Sequence, residues 1–149
     1  MHREWNVYLA GEVHSDWRER IREGTRKSHL PVVYSSPVTD HAASDCCGAE
    51  ILGHEEDSFW HDHKGAKINA IRTRTLIRNA DVVVVRFGGQ YKQWNAAFDA
   101  GFASALGKPI IVLHDEDLIH ALKEVDGAAL AVARDPAQVV EILQYVIAE

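Results

Sequence analysis

Five short apolar runs punctuate the chain: WNVYLA (5–10), PVVY (31–34), DVVVVRF (81–87), PIIVL (109–113) and AALAV (128–132). Their length and their valine and isoleucine content suit β-strands. Between them, apolar residues recur at helical spacing. Ser15 is placed to cap a helix that buries Trp17, Ile21 and Gly24, and a second helix over 66–79 aligns Ile68, Ile71 and Thr75. A third lies within QWNAAFDAGFASALGKP (93–109), with Ala97, Gly101 and Ala105 as a small-residue face for close approach to a sheet. The last opens on DPAQ, where Asp135 can cap, Pro136 suits the first helical position and Gln138 can complete a capping box. Its apolar positions are Val139, Ile142, Leu143 and Val146.

Strands alternating with helices predict an α/β fold, because right-handed crossovers lay successive helices over a parallel sheet. The near-uniform VVVV and IIVL runs fit central strands covered on both faces. The expectation is one flavodoxin-like, doubly wound domain over 1–149, with five parallel strands in the order 2-1-3-4-5 and helices on both faces. Residues 35 to 65 read as a long irregular arm or lid, with a short helix at SDCCGAEILG.

Composition narrows the partners. The 149 residues are 46% hydrophobic and 26% charged, enough for one core. A formal charge of −6 with no basic block argues against nucleic acid and against an anionic membrane surface, and favours a small ligand. No apolar stretch approaches the roughly 18 residues of a membrane span, and MHREWNVYLAG lacks a signal-peptide pattern, so a cytoplasmic location is expected. The adjacent Cys46 and Cys47 cannot staple a fold and suit a reducing compartment.

In such a sheet ligands bind beyond the carboxyl ends of the strands, where the strand order reverses. Here that crevice lies between the first and third strands, flanked by AGEVHSDW and RFGGQYKQWN. Candidate lining residues are Gly11, Glu12, His14, Asp16, Arg86, Gly88, Tyr91, Trp94 and Asn95, joined by Asn69 and Arg72 from the helix at 66–79. Trp17 and Trp94 are candidates for stacking on a base, with Trp17 equally suited to the core. Asp99, four residues after Asn95, falls about one turn into the third helix. It either faces the crevice, or is a solvated helix residue or a structural acid paired with Lys92 or Arg86.

VYLAG, DVVVV and FDAGFASALGKPIIVL together resemble the nucleoside 2-deoxyribosyltransferase-like superfamily. YLAGEVHSDWR, INAIRTR and YKQWNAAFDAG are closer still to the YtoQ family, within or near that superfamily, and this likeness covers nearly the whole chain. The resemblance implies an enzyme acting on an N-glycosidic bond, in which the acid at the position of Asp99 attacks the anomeric carbon and carries the sugar. A carboxylate suits an oxocarbenium-like transition state and can form the glycosyl ester. The resemblance also gives Tyr8 the role of orienting that acid and Gly11 that of letting the loop approach the ligand. Glu12 or His14 would serve as acid or base. It implies a homo-oligomer, with a dimer favoured.

The chain departs from the superfamily pattern in several places. The nucleophile is aspartate where the enzymes carry glutamate. Gln93, Asn95 and Ala96 stand where aspartate, glycine and a hydroxyl residue are usual, Thr73 stands near an expected aspartate, and Glu12 replaces a proline. A nucleotide-binding sensor using the same crevice is therefore the alternative reading.

Other constellations are weaker. HEEDSFWHDH (54–63) gathers three histidines among acids but reads as a solvated loop, so no metal is expected. Arg72, Arg74 and Arg78 share a helix without sharing a face, and one of them reaching a ligand phosphate competes with plain surface ion pairing. FGGQY lacks the G-x-G-x-x-G spacing, and neither a Walker lysine nor a nucleophile elbow is present, so no cofactor is implied.

Overall fold

The computed structural model describes residues 3–148; Met1, His2 and Glu149, the ends of the expected domain, lie outside the described residues. Five strands form one sheet: β1 (Trp5–Gly11), β2 (Val32–Ser35), β3 (Val82–Arg86), β4 (Ile110–Leu113) and β5 (Ala131–Ala133). All pairings are parallel and the order is β2-β1-β3-β4-β5, as the alternation predicts. The helices are α1 (Trp17–Lys27), α2 (His41–Leu52), α3 (Ser58–Asn79), α4 (Trp94–Ala105), α5 (Lys123–Ala128) and α6 (Pro136–Ile147), with a short 3-10 turn at Glu116–Leu118.

Side chains alternate between two cores, one on each sheet face. Val7, Leu9, Val82, Val84, Ile111 and Leu113 point towards α1 and α6, where Trp17, Ile21, Val139 and Leu143 meet them. Tyr8, Ala10, Val83, Val85 and Val112 point the other way, towards Ile77 of α3 and Ala96, Ala100 and Ala103 of α4. Burial on both sides explains why these strands read as unbroken apolar runs. At the amino edge Asp81 ties β3 to β1: its N–H donates to the Asn6 carbonyl (2.7 Å) and its carboxylate accepts from the Asn6 N–H (2.8 Å).

Several expectations are corrected. Residues 35 to 65 are mostly helical: α2 and the first turns of α3 form a hairpin, closed where a Cβ on Gly48 would lie 2.5 Å from the Gly65 nitrogen. Asp40 caps α2 and Asp57 caps α3, so HEED is the loop that leads into α3, while SFWHDH is not loop but the first turns of that helix. Ser15 caps nothing; its hydroxyl bonds Glu12. The sheet-facing side of α4 is Ala96, Ala100 and Ala103, while Gly101 and Ala105 face outwards. Ile71 and Thr75 are exposed, and α3 turns Ile77 and Leu76 inwards instead. On α6, Ile147 is buried and Val146 is not. Asp135 does cap α6, accepting from the Ala137 N–H at 2.7 Å, but Gln138 accepts from Arg134 rather than from the cap residue. β5 starts three residues later than its apolar run because α5 takes in Ala128.

Two helical glycines give opposite expectations for one chemical change. A Cβ on Gly24 would meet Val140 Cγ2 at 2.6 Å, because α1 lies directly on α6, whereas Gly101 has open space. Gly101→Ala should therefore stabilise the fold by about 0.5–1 kcal/mol. Gly24→Ala should cost about 1 kcal/mol or more, overpacking outweighing helix propensity. Urea unfolding of the two variants checks both signs.

Candidate functional site

The site grows from the end of β1. Gly11 has φ +122°, and a Cβ there would lie 2.1 Å from the Arg86 carbonyl oxygen, so only glycine lets β1 run against β3 to its last residue. The Glu12 N–H then donates to that same carbonyl (3.1 Å) before the two loops part. Glu12 turns back into its own loop and is 6% exposed. One carboxylate oxygen accepts from the His14 N–H (2.7 Å) and the Ser15 N–H (3.1 Å), the other from the Ser15 hydroxyl. Burial works to raise the Glu12 carboxyl, but these bonds and the Arg86 charge outweigh it and hold the group below the usual carboxylate range.

Behind the loop, the Trp17 indole N–H and Arg18 Nη1 each donate to the Glu12 carbonyl at 2.8 Å. Arg18 also donates to the Leu9 and Gly11 carbonyls, closing off the end of β1. Burial lowers the Arg18 guanidinium to about 10, so it stays charged at neutral pH. Across the gap, Gly88 comes close because its missing Cβ would sit 3.2 Å from Glu12 Cγ, and its N–H donates to Gln93 Oε1 (3.0 Å). A pocket of about 160 Å³ opens between the loops, lined by Glu12, His14, Ser15, Arg86, Gly88, Gly89, Gln90, Tyr91 and Gln93. The His14 ring lies tilted 4.6 Å from Tyr91 and stacks 5.4 Å from His41, the first residue of α2. The α2–α3 hairpin thus reaches the crevice.

Beneath the loops, on the face covered by α3 and α4, Tyr8 is fully buried and its hydroxyl has no hydrogen-bond partner. Burial and the nearby Asp99 charge push that hydroxyl well above its ordinary value, so it stays protonated. Asp99, half-buried on α4, makes no hydrogen bond or ion pair among the described residues. Burial pushes its carboxyl up to about 6. The expected alternative, a structural pair with Lys92 or Arg86, is not formed: Arg86 lies near Glu12 and Asp115, and Lys92 lies over the Trp94 ring. An unpartnered phenol and an unpartnered carboxyl facing one another electrostatically are what a polar ligand would satisfy.

The remaining candidates separate. Glu12, His14, Arg86, Gly88 and Tyr91 line one pocket. Trp17 belongs to the core and cannot stack on a ligand. Asp16 sits at the start of α1 and is exposed, while Trp94 and Asn95 are exposed on the first turn of α4, outside the pocket lining. Asn69 joins α3 to α2, donating to the Ser44 carbonyl and hydroxyl. Arg72 donates to the Ser36 carbonyl (3.3 Å), and its charge also reaches Tyr8. His61 and His63 lie on α3, with His63 stacked on Phe59; among the described residues no three histidine, cysteine or acid side chains converge. Sequence reasoning missed Arg18, His41 and Gln93. Only Gln93, six residues before Asp99 at the foot of a helix, carried a local signal.

The model of the family described as nucleoside 2-deoxyribosyltransferase YtoQ matches residues 8–147. The chain belongs to the YtoQ family. It is 43% identical over 142 residues to the Bacillus subtilis (strain 168) protein described as uncharacterized protein YtoQ, covering 95% of this chain and 96% of the relative. A conserved protein from Enterococcus faecalis V583 has a similar structure, with TM-score 0.64 and 16% identity over 97% of this chain and 99% of that one. A 2-deoxyribosyltransferase from Bacillus psychrosaccharolyticus aligns with TM-score 0.54 and 17% identity over 91% and 90%. At these identities the two structures speak for the fold, which this YtoQ-family chain shares with a deoxyribosyltransferase.

The raised Asp99 carboxyl sets the sign of a pH effect. A carboxyl whose folded value of about 6 exceeds its unfolded value near 4 binds its proton more tightly in the fold. It therefore burdens the fold above pH 6 and relieves it as pH falls towards 4. Asp99→Asn should be more stable than wild type at pH 8, by on the order of 1–3 kcal/mol, and the advantage should vanish near pH 4. Paired urea melts across that range measure it.

Proposed function

We propose that this chain cleaves or transfers at the N-glycosidic bond of a nucleoside or nucleotide, with Asp99 as nucleophile or cation stabiliser and Tyr8 as its positioning residue. The observation that carries the reading is the pair itself: the fully buried Tyr8 hydroxyl and the half-buried Asp99 carboxyl, both without partners among the described residues, under the crevice where the strand order reverses, in a family described as nucleoside 2-deoxyribosyltransferase. Asp99 Oδ attacks C1′ as the C1′–N bond breaks, and the electron pair and a proton go to the departing base. Water or a second base then takes the sugar from the ester and frees the carboxylate. On this reading the Tyr8 hydroxyl, protonated and unbonded in the free protein, donates to Asp99 once a ligand is bound and fixes the attacking oxygen. Glu12 is held ionised by its loop and suits a base better than an acid, which leaves the rim residue His14 to protonate the base.

The expected homodimer belongs to the same proposal. It is supported by the exposed Ile51, Leu52, Phe59 and Trp60 near the turn of the α2–α3 hairpin, apolar surface that a second copy would cover. A nucleotide sensor without turnover is the second reading, favoured by one feature: aspartate is one methylene shorter than the glutamate it replaces, and misplacement by about an ångström can cost roughly 100-fold.

Base release from a panel of ribo- and deoxyribonucleosides and their monophosphates, followed by chromatography, separates the two. The enzyme reading expects wild type to release base from at least one compound. Asp99→Asn should lose at least about 10³-fold, and Tyr8→Phe about 10- to 100-fold. The wild-type rate should rise with pH through about 6 as Asp99 ionises. Unchanged release by Asp99→Asn removes the nucleophile; binding without release by wild type favours the sensor.

A further inference from the structure

The rim pocket holds more donors than the chain uses. Arg86 is 17% exposed, its Nε is shielded and unpartnered, and its guanidinium makes no hydrogen bond among the described residues. The nearest carboxylate oxygens, on Glu12 and Asp115, both stand 3.9 Å away, beyond hydrogen-bond reach. Glu12, the one acid lining the pocket, has both oxygens committed to Ser15 and the loop amides. Among the described residues, Gln93 gives its oxygen to Gly88 and keeps its amide N–H₂ free, and the backbone N–H groups of Gly89 and Gln90 have no acceptor.

A hollow rich in donors and poor in free acceptors fits an acceptor-rich group, and a planar guanidinium fork suits phosphate oxygens in particular. The size sets a second limit. About 160 Å³ is well below the roughly 300 Å³ at which pockets for whole small molecules begin, so it takes one group of a larger ligand. The position fits that division: Arg86 lies three residues beyond Val83, the β3 neighbour of Tyr8, a rise of about 10 Å along the strand.

We propose that the Arg86 pocket binds the phosphate of a phosphorylated nucleoside, which makes the substrate a nucleotide rather than a free nucleoside. This rests on the N-glycosidic reading for the rest of the ligand, whereas the anion subsite itself stands on Arg86 and its pocket.

Calorimetric titration of the full chain tests it, using inorganic phosphate, acetate, and matched pairs of nucleoside and nucleoside 5′-monophosphate for each common base. Wild type should bind at least one monophosphate ten times more tightly than its nucleoside, with inorganic phosphate competing and acetate not. Arg86→Gln should bring the pair within twofold without weakening the nucleoside, and Arg86→Lys, which keeps the charge but loses the fork, should fall between. Equal wild-type affinity for every pair overturns the subsite whether or not the variants fold. So does a preference that survives in both variants, or acetate competing as well as phosphate. Binding is read without turnover, so the two proposals fail separately. A phosphate preference retained in Asp99→Asn supports the subsite even if no base is ever released. Base release with no phosphate preference overturns the subsite and leaves the glycosidic reading intact.

Discussion

The close approach of Gly11 to the Arg86 carbonyl, where a Cβ would lie 2.1 Å from the oxygen, is the constraint on which the rest turns. It keeps β1 and β3 paired to their last residues, and it fixes the register that sets Tyr8 beside Val83 and Arg86 at the rim. Because the strand order reverses at this pair, the two following loops must diverge, and the gap between them is the crevice. A side chain at Gly11 would push β1 away from β3, and would move the Glu12 loop, the pocket and the Tyr8 hydroxyl together.

The distribution of satisfied and unsatisfied polar groups divides structure from function. Around the β1 loop, Glu12, Ser15, Trp17 and Arg18 bond one another or the backbone, and the loop is fully determined without a ligand. Among the described residues, three shielded side-chain atoms have no partner: Tyr8 Oη, Arg86 Nε and Arg22 Nε. Arg22 still pairs with Glu19 through its Nη1. The other two lie at the carboxyl side of β1 and β3, one below the loops and one between them. Buried polar groups left open cost stability, and natural folds concentrate that cost where a ligand repays it.

Much of the fold was legible because its signals are local and redundant. The apolar run of β1, the unbroken valine of β3 and the aspartate-proline start to α6 each specify one element, and the alternation of strands with helices specifies the order. Most of α2 was legible as a short helix at SDCCGAEILG and most of α3 as the helix over 66–79, but the first turns of α3 and the pairing of the two helices into a hairpin were not. The hairpin's apolar residues Ile51, Leu52, Phe59 and Trp60 remain exposed, so no apolar face marks the pairing, and its contact is made by Gly48 and Gly65, which read as breakers. Within the site, Glu12, His14, Arg86 and Tyr91 were visible as polar residues on two loops that the strand order brings together. Trp17, left open in sequence between stacking and the core, belongs to the core, where its indole donates to a loop carbonyl. Arg18 and His41 depend on tertiary contacts between loops and helices far apart along the chain, for which the sequence holds no pattern.

The central claim is that Asp99 carries the sugar. The most direct measurement is the mass of the intact protein, quenched in acid during turnover of whichever compound releases base, followed by mapping of the labelled peptide. A covalent intermediate predicts a transient added mass equal to the sugar moiety, on the peptide that contains Asp99 and absent in Asp99→Asn. Sugar found on another residue, or turnover with no adduct under conditions where the ester must accumulate, would contradict it.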